Sequence, residues 1–293
     1  MSNISGATGK LYICATPIGN LEDITLRVMR TLKEVDLIAA EDTRVTRKLL
    51  SRYDISTPIT SYYEHNEAVK GKELVEAMGA GKTIALVSDA GMPGISDPGH
   101  RLIKLCIERG IPVEALPGPS SLITALVISG LPTDTFVFQG FLPRKKGERT
   151  ALLEELLRTG RTTILFESPR RLKATIAEIA HIDPMRSTVI ARELTKKFEE
   201  VIRGSAAELL ERLDTAEIKG EVVLLFGPGQ KGGAQTITAS ELRDVVIGLI
   251  EKGTQKKQAI SEVAKKFGAG KHSVYEAVLD IHERGTKDQP KGR

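Results

Sequence analysis

Only two of the 293 residues are cysteine, Cys14 and Cys106. A disulfide-stapled fold is excluded and a reducing compartment is favoured. Both cysteines sit in apolar runs, 11–15 and 102–107, where a buried free thiol is the expected state. The five histidines are scattered, and no Cys or His spacing matches a metal site, so no metal is expected. No stretch approaches about 18 continuous apolar residues, so no membrane span is expected. Residues 1–10 are small and polar and lack an apolar core. No signal peptide is expected, and the chain reads as soluble and cytoplasmic. Neither sign of charge dominates: 42 Lys and Arg stand against 38 Asp and Glu, a formal net charge of +4. That leans mildly towards anionic partners. No internal repeat is present.

What is present is an ordinary globular composition, 41% apolar and 27% charged, in a chain long enough for two domains. From residue 11 to about 227, apolar runs alternate with amphipathic ones. The runs 11–15, 37–40, 85–87, 113–116, 135–138, 163–167, 188–192 and 222–226 read as strands. The stretches 26–32, 46–52, 67–78, 120–128, 152–157, 171–179 and 206–213 carry helical spacing. Buried strands alternating with such helices predict an α/β fold with mainly parallel sheets. Turn residues at 129–133 divide this region into two α/β lobes, 9–130 and 134–228, with a cleft between them. The glycine-rich stretch 227–233 is a second linker. Beyond it, 240–251, 256–267 and 273–282 read as helices, with Ser240 as N-cap, giving a small helical domain over 238–285. Its helix, glycine turn and helix resemble a helix-turn-helix unit, the alternative being a hairpin that only packs.

No G-x-G-x-x-G follows the first strand. Gly79-Ala80-Gly81-Lys82-Thr83 is not a P-loop, because Glu76 stands where a glycine is needed and the segment leads into a strand. The informative stretch is 88–99, S-D-A-G-M-P-G-I-S-D-P-G. A plain connector between strand and helix needs few residues. A longer loop set with glycine and proline either brings bare backbone close to a ligand or is a rigid structural element. Companion loops at 16–20, 41–44 and 117–121 also follow strands, where open α/β sheets bind ligands. Ser120 and Ser121 open a helix, whose free N–H groups either meet a ligand or are simply capped. The second lobe adds 167–171 and 191–197 at strand ends.

Together these motifs resemble the ribosomal RNA small subunit methyltransferase I family, within the tetrapyrrole-methylase-like methyltransferases. The resemblance is carried by 88–99, by T-P-I-G-N-L-E-D-I-T at 16–25, E-D-T-R at 41–44 and P-G-P-S-S at 117–121. In the second lobe it is carried by G-F-L-P-R-K at 140–145, F-E-S-P-R-R-L at 166–172 and A-R-E-L-T-K at 191–196. It implies methyl transfer from S-adenosylmethionine to the ribose 2′-hydroxyl of a cytidine in the decoding region of small-subunit (16S) rRNA. It further implies a homodimer, with rRNA in the assembled or assembling 30S subunit as partner. A methyltransferase acting on a porphyrinoid precursor and a non-catalytic ribosome-assembly or RNA-binding factor are the alternatives. The wider superfamily reads Gly-Asp-Pro where this chain has Gly91-Met92-Pro93. Asp89 or Asp97 either replaces that missing carboxylate or only holds the loop in shape.

The resemblance and the strand-end positions together imply cofactor contacts at Pro17, Gly91, Ile95, Ser96, Ser120, Ser121, Phe166 and Ala191. A ribose hydroxyl is a poor nucleophile, and a positioned proton acceptor contributes ~10²–10⁴-fold. Acids at strand ends are Glu41, Asp42, Glu167 and Glu193, each either a base or an ion-pair partner. Asp42 with Arg44, and Glu167, are the expected catalytic groups. Arg144, Lys145, Arg170 and Lys196 are the expected RNA contacts, gripping phosphates without reading sequence. A solvated basic face is the alternative for them.

Overall fold

The computed structural model describes residues 9–215, 218–229, 239–267 and 271–279. The chain divides into two compact units at Gly229.

The first unit opens with a five-stranded sheet. Its strands are β1 (Lys10–Cys14), β2 (Leu37–Ala40), β3 (Ile59–Ser61), β4 (Thr83–Val87) and β5 (Val113–Leu116). Their order is β3-β2-β4-β1-β5, and every pairing is parallel. The helices between them are α1 (Leu26–Glu34), α2 (Thr43–Arg52), α3 (Glu67–Gly79) and α4 (His100–Glu108). Successive strand residues point to opposite faces. Ile38, Ala40, Ala85 and Val87 pack with Val28, Leu32 and Leu49 on one side. Ala39, Ile84 and Leu86 pack with Leu74, Met78 and Leu102 on the other. Helices cover both faces, which is why the strands read as unbroken apolar runs. Cys14 and Cys106 are the buried free thiols expected, burial pushing them up to about 12 and about 11. The chain leaves β1 for β2 on one side and β4 for β5 on the other. That reversal opens a crevice at the carboxyl ends of β1 and β4.

The second sheet contains β6 (Phe136–Phe141), β7 (Thr162–Glu167), β8 (Ser187–Arg192), β9 (Glu200–Ser205) and β10 (Val222–Phe226), in the order β6-β7-β10-β8-β9. Here the expected parallel pairing holds only for β6 with β7. The pairs β7–β10, β10–β8 and β8–β9 are antiparallel. The cause is the connection after β8. It returns directly as β9 with no crossover helix, and a parallel neighbour needs a long crossover. The strand β9 (EVIRGS) is only partly buried along its length and carries no apolar run to announce it. Helices α6 (Lys146–Arg158), α7 (Pro169–Ile182) and α8 (Ala206–Thr215) complete this lobe.

Helix α5 (Ser121–Ser129) closes the first lobe in sequence yet packs on the second sheet. Its Ala125 and Leu126 join Ile164, Val189, Val223 and Leu225. Arg203 on β9 donates to the carbonyls of Ile128 and Ser129, satisfying the end of α5. The turn near residue 130 therefore marks a change of sheet within one continuous body. β10 is buried at every position, and Phe226 is fully inaccessible among Leu153, Leu156 and Ile176. Phe226→Ala is expected to cost about 3–5 kcal/mol, read as a lower urea midpoint with an unchanged m-value.

The second unit contains α9 (Ala239–Glu251), α10 (Lys256–Phe267) and α11 (Lys271–Leu279). They share a core of Leu242, Val246, Ile260, Val263, Val274 and Val278. Helix α9 begins at Ala239, so Ser240 lies inside the first turn and not at the cap. Its Oγ accepts from Arg243 Nη2 at 3.1 Å. The glycine turn expected before α11, residue 238 and residues 280–285 lie outside the described residues. Among the described residues no helix is long and apolar enough to cross a membrane.

Candidate active site

The loop 88–99 leaves β4 and folds back over the crevice. Gly91 holds φ at +84°, in the left-handed region that L side chains avoid. Its N–H donates to the Thr16 carbonyl at 3.0 Å, and Thr16 N–H donates to the Gly91 carbonyl at 2.9 Å. Thr16 Oγ1 also donates to the Ser88 carbonyl at 3.0 Å. The loops after β1 and β4 are thus tied together at the switch point. Ser96 follows at φ +62°, held there by the surrounding turn. At Gly19 a Cβ would sit 2.8 Å from the Leu194 carbonyl and 2.6 Å from Lys196 Cγ. The first lobe presses bare backbone against the β8–β9 connection at that point.

Between these loops and the second sheet lies a cavity of about 370 Å³. That is within the range of small-molecule sites. Ile18, Gly91, Met92, Ile95, Ser96 and Asp97 line it from the first lobe, with Ser120, Ser121 and Leu122 from the start of α5. Phe141, Phe166, Ala191, Leu194, Val222 and Val223 line it from the second. Phe166 is buttressed edge-on by Phe138, with ring centroids 5.0 Å apart, and lies 5.7 Å from Phe141. The Ser120 hydroxyl makes no capping hydrogen bond to α5. The first-turn N–H groups there lack a side-chain acceptor and suit an anionic or carbonyl oxygen.

Seven of the eight residues expected at the cofactor meet on this wall: Gly91, Ile95, Ser96, Ser120, Ser121, Phe166 and Ala191. Pro17 does not. It lines a separate hollow with Leu21, Val45 and Asp89, and its neighbour Ile18 faces the cavity in its place. Sequence reasoning also missed the start of β10. It looked for ligands at the carboxyl ends of parallel strands, but β10 runs the other way. Val222 pairs with Glu167 and Arg192, and Val223 with Phe166 and Ala191, so its beginning sits among its neighbours' ends.

The expected catalytic acids are committed elsewhere. Asp42 caps α2, accepting from Arg44 N–H at 2.8 Å, and Arg44 Nη2 reaches its second oxygen at 2.6 Å. The Arg44 side chain, and then its N–H, hold the Asp42 carboxyl down to about 2. Neither residue lines the cavity. Glu167 lines it, but its Oε2 accepts from Thr175 Oγ1 at 2.7 Å and its Oε1 from Ser168 N–H at 2.9 Å. Arg171 Nε lies 3.3 Å away. This carboxylate is spent on holding the start of α7. The acid with a different standing is Asp97, half-buried on the cavity wall. Burial pushes its carboxyl up to about 6, against a hydrogen bond from the Ser88 hydroxyl and with repulsion from Asp89. Burial likewise raises Glu41 and Asp89 beside it.

The expected RNA contacts divide as well. Lys196 Nζ sits between Glu193 Oε1 at 3.0 Å and Glu221 Oε2 at 3.1 Å, so two carboxylates already neutralise it. Lys145 pairs with Glu148 at 3.1 Å. Arg144 and Arg170 are exposed, with no ion pair or hydrogen bond among the described residues.

A family model for Tetrapyrrole (Corrin/Porphyrin) Methylases matches residues 10–210. A Halalkalibacterium halodurans protein named Ribosomal RNA small subunit methyltransferase I is 48% identical over 270 residues, covering 91% of this chain and 93% of that protein. The chain belongs to the ribosomal RNA small subunit methyltransferase I family. Proteins of the same name from Mesorhizobium japonicum and Synechocystis are each 43% identical. They align over 93% and 94% of this chain and over 92% and 100% of their own. Among solved structures, uroporphyrin-III C-methyltransferase from Thermus thermophilus, complexed with S-adenyl homocysteine, shares the fold at a TM-score of 0.54 and 20% identity. The match covers 75% of this chain and 97% of that one. A diphthine synthase shares it at a TM-score of 0.57 and 14% identity, over 75% and 90% of the two chains. The chain is thus a methyltransferase by family.

Proposed function

We propose that this methyltransferase moves the methyl group of S-adenosylmethionine onto the ribose 2′-hydroxyl of a cytidine in the decoding region of small-subunit (16S) rRNA. The observation that carries the reading is 48% identity, over nine-tenths of the chain, to a protein named for small-subunit rRNA methylation. The cofactor reading is supported by a neighbour of the same fold, complexed with S-adenyl homocysteine, and by the size and lining of the cavity. When bound, S-adenosylmethionine supplies a methyl group made electrophilic by its sulfonium.

The protein's own share is to hold, to align and to take a proton. Ile18, Met92, Leu122 and Leu194 make an apolar wall that excludes water. Gly91, Ile95 and Ser96 offer main-chain groups, and Ser120 and Ser121 offer the open start of α5 to a carboxylate. Phe166 and Ala191 close the far side. Asp97 accepts the proton of the attacking hydroxyl, as the aspartate on the wall that is not tied up in a helix cap or an ion pair. Arg144 and Arg170 meet RNA phosphates. The active form is a homodimer in the cytoplasm, working on the assembled or assembling 30S subunit. Self-association is supported by Ile123 and Val127, an apolar pair one turn apart on α5 that stands 44% and 70% exposed.

The test offers labelled S-adenosylmethionine with assembled small subunits, naked rRNA and a porphyrinoid precursor in parallel. Label is expected on a cytidine ribose of small-subunit rRNA. Label on the porphyrinoid alone would overturn the reading.

A further inference from the structure

Beside the cofactor cavity lies a larger hollow of about 710 Å³, between the start of α7 and the stretch ahead of β10. The two share Ser168, Pro169 and Gly220 in their linings, so they adjoin. The polar lining of the hollow is basic. Arg170 and Lys173 stand three residues apart on α7, on one face of the helix, and Lys219 lies across from them. Leu172, Leu213 and Ile218 supply an apolar floor. Arg170 is exposed and makes no ion pair or hydrogen bond among the described residues. Lys173 meets Asp214 at 2.7 Å, but both side chains are more than half exposed. Such a pair is weak and yields readily to a phosphate.

Two hollows that adjoin along shared residues suit a ligand that continues from one to the other. A nucleotide chain does this: each ribose is followed by a phosphate and a further base. Single strands are held by cations on the backbone and by apolar or aromatic surface under the bases. We infer that this hollow receives the nucleotide next to the target ribose in single-stranded RNA, with Arg170 and Lys173 on its phosphate and the apolar floor under its base. The inference rests on the RNA reading above. It also explains how register is fixed while Lys196, the other cation beside the cleft, is held by carboxylates.

The test titrates a labelled single-stranded oligoribonucleotide against the full chain and its Arg170→Ala/Lys173→Ala variant at several salt concentrations. The variant is expected to bind at least about tenfold more weakly. Its slope of log K against log salt should be shallower by about 1.4, for two contacts at about 0.7 each. Affinity for S-adenosylmethionine should be unchanged, and Arg170→Lys should keep most of the slope. Equal affinity and slope in the two proteins would overturn the inference. So would a parallel loss of S-adenosylmethionine affinity, or full displacement of the oligonucleotide by inorganic phosphate at matched ionic strength. Binding is read without methyl transfer, so the two readings fail separately. RNA held through Arg170 and Lys173 by a chain that leaves rRNA unlabelled would sink the proposed function and leave the hollow's role standing.

Discussion

Asp97→Asn is expected to lower kcat by ~10²–10⁴-fold, the usual contribution of a positioned proton acceptor. Asparagine keeps the size of the side chain and an oxygen for the Ser88 hydroxyl, but it takes no proton. The unmodified enzyme should lose activity about tenfold per pH unit below about 6, where the Asp97 carboxyl titrates. Above that it should be flat, and the variant should lack the acid limb altogether. Stability moves the other way. The folded carboxyl titrates at about 6 against an ordinary 3.8, so ionisation costs folding free energy above about pH 6. That cost fades as the pH falls through 6 towards 3.8. Asp97→Asn should therefore raise Tm at about pH 8 and leave it unchanged near pH 4. A variant that loses both activity and Tm at about pH 8 would show that the carboxylate only holds the loop.

Gly91→Val should weaken S-adenosylmethionine binding by at least about tenfold, measured by calorimetry. A side chain at φ +84° costs about 1–2 kcal/mol before any collision, and a branched one more. Its Cβ would also meet Ile18 Cγ2 at 3.4 Å, on the cavity wall. Relief of that strain breaks the paired hydrogen bonds between Thr16 and Gly91 that close the switch point. Gly110→Val is the matched control. Gly110 has φ +67° and open space around it, away from the cavity lining. It should lose similar stability and keep its cofactor affinity. Equal affinities in the two variants would remove the Gly91 turn from the binding site.

How far the site was legible depends on the range of the interaction. The uniformly apolar runs at 37–40 and 222–226 named their strands to the residue, because burial on both faces leaves no polar position to blur. The glycine and proline loops named the cavity wall, because backbone shape is written locally. Asp42 was misleading for the same reason. A carboxylate at a strand end, just before a helix, looks alike whether it caps or catalyses, and only the bond to Arg44 decides. Glu167 and Lys196 depend on Thr175, eight residues along, and on Glu221, just ahead of β10. No local pattern reports such partners. β9 went unseen because a half-buried edge strand needs no apolar run. With β9 unseen, the reversed entry of β10 was out of reach too.

That reversed strand has a consequence for how the protein is born. β10 is the middle strand of its sheet and the last strand of this unit to leave the ribosome. Domains fold as units, from the N-terminus, as they emerge. The first sheet has all its strands once residue 116 is out, but the second keeps a gap between β7 and β8 until residue 226 follows. The wall supplied by Val222 and Val223 is therefore finished last. An unfinished chain has no closed cavity, so an enzyme made by ribosomes stays without that cavity until almost all of this unit has been released from the one making it.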